Sequence, residues 1–152
     1  MAATELIEAL KLRFQAEEFS IGVRVEPDAL LDCLRTLRDQ HGYRFYVAAS
    51  ATDRGETLEV VHGLRNLDSK DEIFVKVAVP AARPEVASAA QIFSGAEWHE
   101  REILDLFGVT FLAHPDPRRI LMPDDYEGHP LRKEFPMNTP WGYRPAAAAE
   151  ES

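Results

Sequence analysis

The feature that most constrains this chain is a concentration of proline toward its C-terminal end. Seven of its ten prolines, Pro115, Pro117, Pro123, Pro130, Pro136, Pro140 and Pro145, fall between residues 114 and 145. Proline removes a backbone donor and fixes φ, so regular helix and interior strand are forbidden over most of that span. The same span carries spaced apolar residues: Ile120, Leu121, Met122, Tyr126, Leu131, Phe135, Trp141 and Tyr143. An extended chain cannot build a core from such anchors. It has to lie along a surface, its own or a partner's. The expected organisation is a globular domain over 1–112, an extended Pro-rich partner-binding strap over 113–145 and a disordered tail over 146–152.

The N-terminal portion shows ordinary folding patterns. Residues 5–14 place Leu6, Ile7, Leu10 and Phe14 on one helical face, with Thr4 as the expected N-cap. Residues 19–25 alternate apolar and polar, which predicts one half-buried strand. Pro27 opens a helix whose buried stripe is Leu30, Leu31, Leu34 and Leu37, and Gly42 is its stop. Three strands follow over 43–51, 57–65 and 73–79, joined by short polar turns that favour antiparallel pairing. Pro84 is read as opening a short helix through Phe93. The expected fold is α+β: a two-layer sandwich with a mostly antiparallel sheet of about four strands and helices on one face. The lone cysteine, Cys33, lies within the leucine stripe and reads as a small core residue.

Composition removes several functional classes. A formal net charge of −9 argues against binding nucleic acid or anionic lipid, both of which call for Lys and Arg. No run of about 18 apolar residues is present, and the first residues lack the basic start and apolar core of a signal peptide. The expected location is therefore the cytoplasm, free or docked on something else. One cysteine cannot hold an iron–sulfur cluster. The five histidines form no HxxxH or HExxH pair, and GxSxG, GxGxxG and P-loop motifs are missing.

The most unusual run is Gly95 to Gly108, "GAEWHEREILDLFG". Ser94 with Glu97 fits a capping box, Phe93 with Trp98 fits a hydrophobic staple, and Gly108 fits a C-terminal stop. At about 100° per residue, Ala96, Ile103, Leu104 and Phe107 share one face, with Glu100 in its middle. Trp98, Glu102 and Asp105 fall on the opposite face, with Arg101 at its edge. Glu97–Arg101 and Arg101–Asp105 have the spacing of surface ion pairs. Glu100, aimed at apolar neighbours, calls for a donor, a cation or a raised pKa. A catalytic pair of carboxylates would need convergence that one helix does not supply.

Glu100-Arg101-Glu102, Asp105-Leu106-Phe107, His114, Arg118 and Ile120-Leu121-Met122, followed by "RRILMPDDYEGHPLRKEFP" over 118–136, resemble the signature of the thirty-kilodalton (C-type) subunit of respiratory complex I, the proton-pumping NADH:quinone oxidoreductase. The likeness is close over 95–137. It implies a non-catalytic structural subunit of the peripheral arm, bracing the quinone-binding module during electron transfer from NADH to quinone. No cofactor is expected on this chain; FMN, iron–sulfur clusters and quinone are expected in partner subunits. The implied partners are the large quinone-cavity (D-type) subunit and neighbouring cluster-bearing subunits, on the cytoplasmic side of the bacterial inner membrane as a peripheral protein. A homologous scaffold domain in a membrane-bound hydrogenase, formate hydrogenlyase or F420 dehydrogenase complex is the alternative. The interface or architecture-critical residues implied are Trp98, Glu100, Arg101, Glu102, Asp105, His114, Arg118, Arg119, Asp124, Asp125, Gly128, His129, Pro130, Arg132 and Lys133. Two positions depart from the family pattern: Ala113, where Gly is frequent, and Pro117, where an apolar residue is usual.

Overall fold

The structure is a computed structural model and describes residues 3–137. The expected tail, together with Pro140, Trp141, Tyr143 and Pro145, lies outside the described residues. In chain order the elements are α1 (Ala3–Phe14), β1 (Glu17–Phe19), β2 (Gly22–Arg24), a 3-10 turn (Pro27–Ala29) leading into α2 (Leu30–His41), β3 (Phe45–Asp53), β4 (Thr57–Arg65), β5 (Glu72–Pro80), β6 (Glu85–Ala87), a second 3-10 turn (Ala89–Gln91), α3 (Ala96–Phe107) and β7 (Thr110–Leu112).

The β3–β4–β5 meander is the centre. Its period-two pattern turns Leu58, Val60, His62 and Leu64 of β4, and Ile73, Val75, Val77 and Val79 of β5, to one face, where all are buried. Leu6 and Leu10 of α1, Leu30, Cys33, Leu34 and Leu37 of α2, and Ala96 and Ile103 of α3 join those rows in one core. Each buried leucine contributes about 1.5–3 kcal/mol of transfer free energy. Cys33 is fully buried, and that burial pushes its thiol up to about 12, which suits a packing residue. Gly42 ends α2 at φ 77°, donating its N–H to the Leu37 carbonyl.

The sheet has five strands in the order β1-β2-β5-β4-β3, antiparallel except where β2 runs parallel to β5. The α+β, mostly antiparallel expectation holds. The extra strand arises because residues 19–25 do not form one strand. They fold back at Ser20-Ile21 into the β1–β2 hairpin, leaving Ile21 exposed rather than inward. The reason lies at Gly22: a Cβ there would fall 1.9 Å from the Phe74 carbonyl oxygen, so only glycine lets β2 approach β5.

The stretch expected as a helix from Pro84 to Phe93 is instead β6 followed by a 3-10 turn. Val86 pairs in parallel with Phe111, a contact between residues far apart in sequence that local propensity does not reveal. Ser88 then caps the turn, its Oγ accepting from the Ala90 N–H at 3.1 Å. Thr4, read as an N-cap, lies inside α1.

Candidate functional site

α3 is the element around which the polar residues gather. Its C-terminal end matches the sequence pattern: Gly108 sits at φ 74° and donates to the Leu104 carbonyl. The capping box does not form. Gly95 occupies the N-cap position without a side-chain cap, and the Glu97 N–H bonds the Ser94 carbonyl, not its hydroxyl. Trp98 is 60% exposed, with the Arg101 guanidinium 4.9 Å above its ring, so it does not close a staple.

Asp105 is the largest departure from the helical wheel. It is fully buried, not solvent-facing, because residues 118–129 cross over that side of α3. Its Oδ2 accepts the N–H groups of Ile120, Leu121 and Met122 at 3.1, 2.7 and 2.8 Å. Its Oδ1 accepts from Arg119 Nη1 at 2.8 Å. Burial pushes this carboxyl upward, but the three amides and the guanidinium outweigh it and hold it below the usual carboxylate range. A charge-assisted cluster of this kind binds a proline-bearing chain that has no strand or helix partners of its own.

The remaining contacts repeat the theme. Arg101, expected to pair with Glu97 and Asp105, instead donates from Nε and Nη2 to the carbonyls of Arg118 and Arg119 at 3.0 and 3.2 Å. Arg119 also reaches the Gly128 carbonyl at 3.1 Å. His129 Nδ1 lies 2.9 Å from the Asp105 carbonyl, and its ring is seated over Gly108, where a Cβ would fall 2.5 Å away. Arg132 donates to the Ala81 carbonyl at 3.0 Å. The Lys133 N–H donates to Asp53 Oδ2 at 2.8 Å, which holds the Asp53 carboxyl below its usual range. Gly128 sits at φ 90° beside the Phe135 ring, a conformation that favours glycine. Ala113, where the family pattern favours Gly, has φ 60°, which costs a residue with a Cβ roughly 1 kcal/mol.

Glu100 lies on the core side of α3, as the wheel requires, and is fully buried. None of Arg118, Arg119, Arg132 or Lys133 meets it. Ser88 Oγ lies 2.5 Å from Oε2, and the Ala89 N–H donates to Oε1 at 2.6 Å. Burial is the dominant influence and raises the carboxyl to about 7 against the opposing pull of those two donors. His114 is nearly buried. Its Nε2 lies 3.0 Å from the Glu97 carbonyl, and its Nδ1 accepts the Asp116 N–H at 2.9 Å.

Other residues of the set point outward. Arg118 grips Asp116 through two bonds, at 2.6 and 2.8 Å, yet its side chain is 74% exposed. Glu102, Asp124, Asp125 and Lys133 are exposed, while Pro130 is half-buried. Four large apolar side chains of the same stretch of chain are exposed as well: Leu112, Leu121, Leu131 and Met137. Sequence reasoning missed Ser88, Asp53, Asp116 and the Tyr46–His62 pair, whose hydroxyl and Nδ1 are 2.7 Å apart. Only the turn "DRG" at Asp53 left a local trace: Asp53 Oδ1 accepts the Gly55 N–H at 2.7 Å. Among the described residues no three or more His, Cys, Asp or Glu side chains are grouped to hold a metal ion. No described helix is long and apolar enough to cross a membrane.

Comparison with known proteins bears directly on this arrangement. Residues 23–140 match the family described as respiratory-chain NADH dehydrogenase, 30 Kd subunit. The C subunit of the NADH-quinone oxidoreductase of Roseiflexus castenholzii is 38% identical over 122 residues, spanning 77% of this chain and 70% of the relative. The corresponding C subunit of Moorella thermoacetica is 41% identical over 120 residues, spanning 78% and 81%. Among solved structures, a trypsin-resistant fragment of Nqo5 superposes with a TM-score of 0.67 at 24% identity, over 76% of this chain and 99% of the fragment. That likeness concerns the fold. A chain of the membrane-bound sulfane sulfur reductase, an archaeal respiratory membrane complex, superposes with a TM-score of 0.75 at 25% identity, over 89% and 86%.

Proposed function

The chain belongs to the 30 kDa subunit family of the respiratory-chain NADH dehydrogenase, and from that premise we propose that it is a non-catalytic structural subunit of the peripheral arm of the proton-pumping NADH:quinone oxidoreductase. In this reading it braces the quinone-binding module while electrons pass from NADH to quinone. FMN, clusters and quinone belong to other subunits, and the principal partner is the large subunit that forms the quinone cavity. The chain acts on the cytoplasmic side of the bacterial inner membrane, as a peripheral component.

One observation carries the proposal at the level of residues. The side chains of His114, Arg119, His129 and Arg132 and the backbone amide of Lys133 are turned inward onto the body of the domain, while Trp98, Leu121 and Leu131 face outward at 60%, 61% and 52% exposure. A rigidly held ribbon with apolar outward side chains has the makings of an interface core, with charged groups at its rim. We assign Trp98, Glu102, Arg118, Asp124, Asp125 and Lys133 to the partner-facing surface. Glu100, Arg101, Asp105, His114, Arg119, Gly128, His129, Pro130 and Arg132 shape that surface from behind. Residues 1–112 are thus the supporting body, and the strap over 113–145 is the contact element. The likeness to the archaeal sulfane sulfur reductase chain supports a second reading, in which the same scaffold serves a related complex of the hydrogenase, formate hydrogenlyase or F420 dehydrogenase kind.

Affinity purification of the full chain from native membranes tests both readings. The expected co-purifying proteins are the large quinone-cavity subunit and cluster-bearing neighbours of an NADH dehydrogenase. Leu121→Glu with Leu131→Glu is expected to keep the thermal midpoint of the isolated chain and to lose the partners. Quinone reduction by the purified chain alone, or full retention of partners by the double variant, overturns the proposal.

A further inference from the structure

Two carboxylates stand five residues apart on α3 and are treated in opposite ways. Asp105 meets a guanidinium and three amides, whereas Glu100 meets only uncharged donors. The arginines near Glu100 are committed elsewhere. Arg101 bonds carbonyl oxygens at 118 and 119, Arg119 bonds Asp105, and Arg118 grips Asp116. The one basic side chain within ion-pair reach among the described residues is His114, whose Nε2 lies 3.8 Å from Oε2.

The hydrogen bonds around His114 fix its proton. Nδ1 accepts the Asp116 N–H, so the single ring proton sits on Nε2 and is donated to the Glu97 carbonyl. A ring so placed is uncharged and gives Glu100 no counter-ion. The core beneath α3 supplies none either. Tyr46 from β3 and His62 from β4 are bonded to each other, and burial keeps both in their neutral forms. The His99 ring packs 6.0 Å from Tyr46, and the 3-10 turn contributes only Ser88 and the Ala89 amide. A fully buried carboxylate without a cation is strongly disfavoured against its neutral acid.

We propose that Glu100 is a buried proton-binding site whose occupancy is coupled, through His114, to the first turn of the strap. In the arrangement described, the proton is on the Glu100 carboxyl, and His114 Nδ1 holds the Asp116 amide. Loss of that proton to solvent leaves an anion 3.8 Å from the imidazole. The neutral imidazole then turns its Nε2–H from the Glu97 carbonyl toward that anion, whose charge makes it the stronger acceptor. That turn of the ring draws Nδ1 away from the Asp116 N–H, the bond between them breaks, and the turn that positions Arg118 is released. One proton leaves an oxygen for solvent and none is gained elsewhere, so the chain takes on one negative charge as the strap's entry alters.

The test is a pH titration by nuclear magnetic resonance of the full chain carrying labelled glutamate carboxyls and labelled histidine. One glutamate is expected to titrate about two to three pH units above the others. The His114 nitrogens and the Asp116 amide are expected to shift with the same midpoint. Glu100→Gln is expected to abolish that carboxyl signal and to leave the Asp116 amide still through the same range. Glutamates all titrating in the ordinary range, or an Asp116 amide that moves with another midpoint, overturn the proposal. Ser88→Ala provides an independent arm should the glutamine variant fail to fold. It retains the carboxyl and removes a donor, so the midpoint must move upward; an unmoved midpoint also overturns the proposal.

Discussion

The sheet and the strap are stabilised by different physics. The β3–β4–β5 meander and the helices against it are held by apolar burial, with Leu34, Leu37, Val60, Leu64 and Val75 fully removed from water. Residues 113–137 bury few large apolar groups and are held by side chains bonding backbone: Asp105 to three amides, Arg101 and Arg119 to carbonyls, Asp53 to an amide. Apolar packing is tolerant and non-directional, so loss of a methylene costs in proportion to its size. A polar clasp is all-or-none: removing its centre leaves several buried groups unpaired at once. The difference predicts two separate modes of failure.

The largest effect belongs to the clasp. Asp105→Ala is expected to destabilise by about 4 kcal/mol in chemical denaturation, with amide-exchange protection lost first at 120–122. Protection that persists there would erase the contrast. Leu34→Ala is expected to cost about 3 kcal/mol through a cavity, lowering the midpoint for the whole chain without singling out the strap. Next comes Glu100. Its carboxyl is raised to about 7 in the folded chain from an ordinary 4.5. The folded state therefore holds the extra proton between those values, and stability falls as pH rises across that window. Glu100→Gln mimics the protonated group. It is expected to flatten that fall and to exceed the parent by on the order of 2 kcal/mol above pH 7; a parallel decline in both proteins would remove Glu100 as the cause. Ala113→Gly relieves a left-handed residue at the strap's entry and is expected to stabilise by about 1 kcal/mol, read as a small rise in thermal midpoint. Arg118→Ala touches only an exposed, solvent-screened pair and is expected to leave the thermal midpoint unchanged while weakening recovery of partners from membranes.

What sequence reasoning could read follows the same division. Helices and strands of the first 80 residues announce themselves through periodicity because their environment is simple: one face apolar, one face wet. Gly42 and Gly108 mark helix ends because the left-handed position leaves few alternatives to glycine. The β1–β2 hairpin is hidden because its cause, the close approach of Gly22 to Phe74, lies on another strand. β6 is hidden because its partner is 25 residues downstream, at Glu85 opposite Thr110. Within α3, periodicity places Glu100 correctly and Asp105 wrongly. A helical wheel knows the sheet side of a helix, but not that a proline-rich ribbon will cover the other. The departure at Ala113 is legible from family resemblance, and the positive φ there gives it a physical meaning.

The bond from the Lys133 amide to Asp53 joins residues 80 apart in the chain. Protein synthesis delivers residues in order, so β3 and its aspartate leave the ribosome long before the amide that will occupy them. Asp105 likewise emerges before the amides at 120–122 and waits in water, charged and solvated, while the sheet is already able to form. The ribbon must therefore settle last, onto a body that is already folded. A stalled or truncated nascent chain would consequently display a finished sheet with two open acidic cradles.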